Sequence, residues 1–67
     1  MRPATYRITV GGRLSERLAS TFDGFAREAG EGETALVGVV RDQAQLFGAL
    51  DRIRSFGLEL LRVEIDR

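Results

Sequence analysis

The sequence contains no cysteine, no histidine and no lysine, and it has a single proline. Without cysteine the chain cannot form disulfides, and without cysteine or histidine it lacks the ligands of most structural zinc sites. Histidine, cysteine and lysine are also the side chains that most often act as bases or nucleophiles near neutral pH. These absences predict a protein that is not an enzyme, has no catalytic residue and holds no metal or cofactor.

The remaining carboxylates have structural explanations. Asp23, Asp42, Asp51 and Glu59 fall at helix ends, on polar helix faces or on a strand. Capping or solvation accounts for each of them, so none is assigned a catalytic role.

Charge and hydropathy exclude two classes of partner. Ten basic and ten acidic residues cancel, so no net field would attract nucleic acid or an anionic membrane. No apolar run approaches the roughly 20 residues that span a bilayer, and the first residues, MRPATYR, do not form a hydrophobic signal segment. We therefore expect a cytoplasmic protein.

The N-terminal half predicts two strands and a helix. Apolar and polar side chains alternate over residues 5–10, which is the period of a half-buried strand. Gly11 and Gly12 end this strand, and apolar side chains then recur at helical spacing from Leu14 to Phe22, predicting an amphipathic helix of two to three turns. Residues 25–29 are a weaker strand candidate, which a short glycine-containing turn joins to the next strand as a hairpin.

The C-terminal half has stronger signals. Residues 34–40 are almost continuously apolar, which predicts a central strand. Asp42 followed by Gln45 forms a capping-box-like helix start, and Gly57 provides a left-handed stop after about Phe56. Strand character resumes over residues 58–65, whose inward-facing members should be Leu61, Val63 and Ile65.

This element order predicts an α+β fold of ferredoxin-like β-α-β-β-α-β type, with a four-stranded antiparallel sheet and two helices on one face. Residues 5–66 form a single domain, and residues 1–4 are expected to be a flexible N-terminus. If the strand at residues 25–29 is absent, the remainder is a three-stranded β-α-β-α-β unit.

The helices leave the other sheet face open to solvent or to a partner. A chain of 67 residues buries only about 60% of its unfolded surface, and without disulfides or metals it depends on oligomerisation for further stability. The central strand places either Ala35, Val37 and Val39 or Leu36, Gly38 and Val40 on the open face, and both sets are largely apolar.

The residues predicted to form the interface are Arg7, Thr9, Leu36, Val37, Phe47, Leu60 and Arg62. Phe47 lies at the border of the buried stripe of its helix, so it is either core edge or interface. We expect a non-enzymatic protein–protein interaction module that self-associates, as a homodimer or higher oligomer, through the open face or edge of its sheet. A heterologous protein partner would make it an accessory subunit of a larger assembly.

Nearly half of the chain, the run VGVVRDQAQLFGALDRIRSFGLELLRVEI, resembles a group of small stand-alone bacterial ferredoxin-like proteins. The shared pattern is VxDQAxLxGxLxxIRxxGLxLLxV, and the N-terminal TYRITVGGRLSERLASTFDGF extends the likeness. Asp42 and Gln43 match its most distinctive element. The group has no established activity, so the resemblance implies the domain boundaries and the fold but no function.

A looser resemblance is to ACT-type regulatory domains, which have a similar element order and bind amino acids at dimer interfaces near the turn after the first strand. The corresponding turn here is Gly11, Gly12 and Arg13. The acidic residue that usually precedes the glycine is missing, since Val10 occupies that position. The alternative function implied by this resemblance is a small-molecule-binding regulatory domain.

Overall fold

The computed structural model of the protein describes residues 2–66, so Met1, which belongs to the N-terminal segment predicted at residues 1–4, lies outside the described residues. The elements are β1 (Ala4–Gly11), α1 (Glu16–Ala19), β2 (Phe25–Ala29), β3 (Glu33–Val40), α2 (Gln43–Ser55) and β4 (Leu60–Asp66). The predicted α+β class, with four strands and two helices, is confirmed.

The four strands form one antiparallel sheet in the order β2-β3-β1-β4. β1 and β3 are therefore the central strands, and the weak strand candidate at residues 25–29 is a real edge strand. β4 forms the opposite edge and is hydrogen-bonded to β1 alone within the described sheet.

The register between β1 and β3 decides which residues of β3 face the helices. Ile8 lies opposite Leu36, and Thr9 lies opposite Ala35. Because directly paired residues of antiparallel strands point to the same face, Leu36 joins Ile8 in the core. The open face receives Ala35, Val37 and Val39.

A single hydrophobic cluster occupies the helix side of the sheet. Its buried members come from β1, the loop before α1, α1, the turn after α1, β3 and α2; they are Ile8, Val10, Leu14, Ala19, Phe22, Leu36, Ala49 and Ile53. Both helices thus contribute side chains to one core on one face. Phe22 also contacts Phe56 edge to face, with ring centroids 6.1 Å apart.

The first helix is shorter than the apolar spacing predicts. The Ser15 side chain accepts a hydrogen bond from the Leu18 amide, but α1 covers only four residues. The hydroxyls of Ser20 and Thr21 donate to carbonyls three residues earlier, and the Phe22 amide donates to the Ala19 carbonyl. These local bonds replace the i→i−4 ladder, so the predicted two to three turns are wrong.

The second helix forms as predicted. Asp42 Oδ1 accepts from the Gln45 amide at 2.8 Å, and the Gln45 side chain accepts from the Arg41 amide at 2.7 Å. Gln45 also donates to the Val39 carbonyl, which ties the helix start to the end of β3. Gly57 follows the C-cap Phe56 with φ of 71°, the left-handed conformation expected at that position.

No helix within residues 2–66 combines the length and the apolar composition needed to cross a membrane.

Candidate functional site

Two ion pairs cover the open face of the sheet. Arg7 Nη1 lies 2.8 Å from Glu28 Oε1, although their strands are separated by β3. Arg62 Nη2 lies 2.5 Å from Glu33 Oε2, and these strands are separated by β1. Each arginine therefore reaches over an intervening strand. Beneath them Thr9 is only 1% exposed and Ala35 is buried.

The ion pairs make this face polar rather than apolar. The hydrogen bond from Arg7 to Glu28, with the attraction between their charges, raises the pKa of Arg7 above its ordinary value. A shallow pocket of about 160 Å³ lies between the two ion pairs. Of the apolar side chains on this face, Val37 is half-buried and Val39 is exposed. Among residues 2–66, the open face therefore presents no continuous apolar patch.

The seven side chains predicted to form an interface do not share one surface. Leu36 is completely buried on the helix side, so its assignment to an open-face interface is corrected: the pairing with Ile8 places it in the core. Thr9 is buried under the ion pairs, and Val37 is half-buried beside them. Arg7 and Arg62 form those pairs, Phe47 is exposed on α2, and Leu60 is exposed on β4.

Four of the seven large hydrophobic side chains that are exposed within residues 2–66 lie on the edge strand β4. We call the side chains of Leu61, Val63 and Ile65 the β4 row. They are 40%, 40% and 42% exposed, so the prediction that they are covered is wrong. Val63 lies opposite Ile8, and Ile65 lies opposite Tyr6, which places both on the helix side of the sheet. Every residue of β4 is exposed, because neither helix covers this edge.

Leu60 and Leu61 occupy an irregularity in β4. Thr9 pairs with Arg62 and Val10 pairs with Leu60, so Leu61 has no partner in the β1 register. Such an insertion has the character of a β-bulge, which bends the strand locally. It exposes two adjacent leucines at the start of the edge.

One flank of α2 faces away from the edge formed by β2. Gln45, Gly48 and Arg52 line a pocket of about 210 Å³ with Phe25 of β2, so this flank faces the opposite edge. Residues 43 and 47 lie roughly 160° and 200° around the helix from residue 45. We call Gln43 and Phe47 the α2 flank. Phe47 is 58% exposed there.

Backbone groups of β4 are free along its outer edge. The Gly11 amide donates to the Glu59 carbonyl, whereas the Gly12 amide donates to the Gly32 carbonyl beside β3. Since successive residues of a strand direct their backbone groups to opposite neighbours, the odd-numbered residues of β1 bond to β4. Their partners include Arg62 and Glu64. Val63 and Ile65 therefore direct their amides and carbonyls away from the sheet.

The turn at residues 11–13, the alternative ligand site, forms backbone hydrogen bonds within the chain. The amides of Gly11 and Gly12 both donate to protein carbonyls. The Thr34 hydroxyl donates to the Gly12 carbonyl at 2.9 Å and accepts from the Leu14 amide at 3.0 Å. Arg13 is exposed. The geometry of this turn is thus explained by contacts within the chain.

The titratable residues do not form a recognisable catalytic or metal centre in the described part of the chain. Asp42 caps α2, and Asp51 pairs with Arg54 at 2.6 Å on an exposed helix face. Glu59 and Asp23 are both exposed. Residues 2–66 contain no group of three or more acidic side chains placed to hold a metal ion.

Sequence reasoning assigned the β4 row to the core because its alternation is that of a half-buried strand. The parity was correct, since Val63 and Ile65 do share a face with Ile8 and Tyr6. The overlooked signal was the element order itself, because the last strand of a split β-α-β arrangement lies at a sheet edge.

A family model described as a domain of unknown function (DUF8691) matches residues 5–64. No curated protein matches the chain. No solved structure matches it either.

Proposed function

The chain belongs to the family described as a domain of unknown function (DUF8691), and we propose that it is a non-enzymatic interaction module that self-associates through the edge strand β4. The observation that carries this proposal is the β4 row, three exposed aliphatic side chains beside unpaired backbone groups. A strand edge of this kind is a template for pairing with another chain.

We also propose that the fold is ferredoxin-like. The order β2-β3-β1-β4 with antiparallel neighbours supports this, because β3 lies between β1 and β2 while β1 lies between β3 and β4. These are two interleaved split β-α-β units. The one-turn α1 is short for this arrangement.

The contrast between the two sheet edges favours β4 as the interface. β2 has five residues, FAREA, and its charged Arg27 and Glu28 form ion pairs with Glu16 and Arg7. Short length and charge are the features that protect an edge from pairing. β4 has seven residues with aliphatic side chains at alternate positions.

The exposed apolar side chains set an upper limit on the stabilisation that an interface at β4 could provide. If the β4 row, Leu60 and Phe47 were fully covered, roughly 400 Å² per subunit would be removed from water, an upper bound. At ~25 cal/mol per Å² this contributes about 20 kcal/mol for two subunits. The loss of translational and rotational freedom costs about 4–15 kcal/mol, and the ordering of interface side chains adds to this cost, so association requires that most of this area be covered.

The test compares two valines of similar exposure on different surfaces. Val63 lies in the β4 row, and Val39 lies on the open face of β3, 44% exposed. Sedimentation at micromolar concentration should give a dimer for the wild type and for Val39→Lys, but a monomer for Val63→Lys. Both variants should fold, because lysine at either position reaches solvent.

Two outcomes would contradict the proposal. A wild-type chain that sediments as a folded monomer would exclude self-association. A Val63→Lys variant that dimerises as strongly as Val39→Lys would show that assembly uses a different surface.

A further inference from the structure

Resting on the proposed self-association, we infer that β4 pairs antiparallel with β4 of a second copy about a twofold axis at Val63, which joins the two four-stranded sheets into one of eight strands. The occupant of the free edge is thus a second copy of the same chain, in one defined register.

Strand length selects the centre of the register. β4 runs from Leu60 to Asp66, so Val63 is its middle residue. Centring the pairing on Val63 overlaps all seven residues, whereas every other register leaves part of both edges unpaired. A twofold axis makes the contact isologous, with the same residues contributed by each copy.

Backbone direction is compatible with this centre. Val63 and Ile65 direct their amides and carbonyls outward, as the alternation along β1 requires. Val63 would exchange both of its backbone hydrogen bonds with the partner's Val63. Leu61, which has no β1 partner in register, would lie opposite the partner's Ile65.

Side-chain chemistry distinguishes this register from its neighbours. On the open face Arg62 would lie opposite the partner's Glu64, and the symmetric contact repeats this pair, so opposite charges meet twice. A two-residue shift in one direction brings Arg62 opposite the partner's Arg62, and the opposite shift brings Glu64 opposite the partner's Glu64. Like charges directly across a strand pair are destabilising, whereas opposite charges contribute favourably.

The two sheet faces would also remain matched. Directly opposite residues point to the same side, so the β4 rows of both copies would form one apolar strip on the helix side. The Arg62 and Glu64 side chains of both copies would extend the polar open face, where Arg62 already pairs with Glu33. A one-residue shift would place aliphatic side chains of one copy among charges of the other.

Single cysteines test the register, because the natural chain has none. In the hydrogen-bonded pair that Val63 would form with the partner's Val63, the Cα atoms are about 5.5 Å apart, within the range that a disulfide bridges. Val63→Cys should therefore form a disulfide-linked dimer on mild oxidation. In this register residue 61 of one copy lies opposite residue 65 of the other. The two residues 61 are therefore four residues apart, roughly 13 Å along the strand, and Leu61→Cys alone should not cross-link.

A mixture of two single-cysteine variants tests the same register independently of Val63→Cys. Leu61→Cys mixed with Ile65→Cys, one of them carrying a mass tag, should give the mixed dimer, while each variant alone should remain uncross-linked. Val39→Cys is the control for random collision and should remain monomeric on a denaturing gel. The mixture keeps the register testable even if Val63→Cys folds poorly.

The outcomes separate the register from the proposed function. A wild-type dimer in sedimentation, combined with cross-linking of Leu61→Cys or Ile65→Cys to itself, would overturn the register and leave self-association standing. Dimerisation without cross-linking at Val63 or in the mixture would exclude the β4 pairing. A monomeric wild type would remove the proposed function itself.

Discussion

Gly38 lies where the turn before β2 approaches the backbone of β3. It sits on central strand β3, paired with Tyr6 on one side and Phe25 on the other. A Cβ atom at this position would lie 2.1 Å from the Gly24 carbonyl oxygen and 3.0 Å from the Phe25 ring. The nearest obstacle is backbone, which cannot rotate away as a long side chain can. Glycine is therefore required here by space rather than by its backbone angles.

We expect Gly38→Ala to destabilise the fold by about 1–3 kcal/mol, the usual cost of overpacking a core. Urea denaturation followed by circular dichroism measures this change. Gly48→Ala is the control, since a Cβ at position 48 in α2 meets nothing within 4 Å. It should stabilise the helix by roughly 0.5–1 kcal/mol. Equal urea denaturation midpoints for the wild type and Gly38→Ala would contradict the steric explanation.

Side-chain hydrogen bonds in the first turn of α2 fix the start of the helix. Asp42 accepts from the Gln45 amide, and the Gln45 side chain holds the Arg41 amide and the Val39 carbonyl. The helix start is thus coupled to the end of β3. A change at Asp42 removes the cap and loosens this junction.

Asp42→Ala should lower the free energy of unfolding by about 0.5–2 kcal/mol, because it leaves a helix N-terminal amide without its acceptor. Asp51→Ala is the matched control, since Asp51 only pairs with exposed Arg54 three residues later. That change should cost no more than about 0.5 kcal/mol. Chemical denaturation of both variants gives the comparison, and equal losses would argue against the cap.

The success of sequence reasoning differed between elements for physical reasons. β1 and α2 follow clear periods and have explicit start or stop residues, so their ranges were predicted within one residue or so. β3 is apolar on both faces, so its sequence allows either orientation, and the pairing of Ile8 with Leu36 determines which one forms. Local hydroxyl–carbonyl bonds shortened α1, which a hydrophobic period does not reveal.

The candidate site was predicted less well than the fold. Leu60 pairs with Val10 through the irregularity in β4, so it lies on the helix side and not on the open face with Arg62, and the ion pairs that cover Thr9 join residues far apart in sequence. The exposure of Val63 depends on which strands the helices cover. The alternation of apolar and polar residues predicts which face of the sheet a side chain points to. Tertiary packing decides whether another element covers that side chain.

For the whole molecule, the absence of histidine, cysteine and lysine predicts pH-independent behaviour around neutrality. The pKa of Arg7 is raised by its hydrogen bond to Glu28, and that of Arg54 by its hydrogen bond to Asp51. A folded-state pKa above the unfolded value gives stability that is complete below the unfolded pKa and is lost only as pH rises through the folded pKa. For arginine that window is strongly alkaline.

The free energy of unfolding and the dimer dissociation constant should therefore change little between about pH 6 and pH 9, where no ordinary side chain of this composition titrates and only the α-amino group does. Denaturation and sedimentation in buffers of equal ionic strength across this range measure both quantities. A sigmoidal change of either quantity larger than about 0.5 kcal/mol within this range would contradict the prediction.

The short, charged strand β2 has a consequence for the size of the assembly. In a dimer joined through β4, both outermost strands of the shared sheet are β2, and their charged side chains are already paired within each copy. The β4 edges of both copies are paired with each other, and the charged β2 edges resist further strand pairing. Growth would therefore terminate at two chains, which separates this geometry from the open-ended stacking that produces fibres.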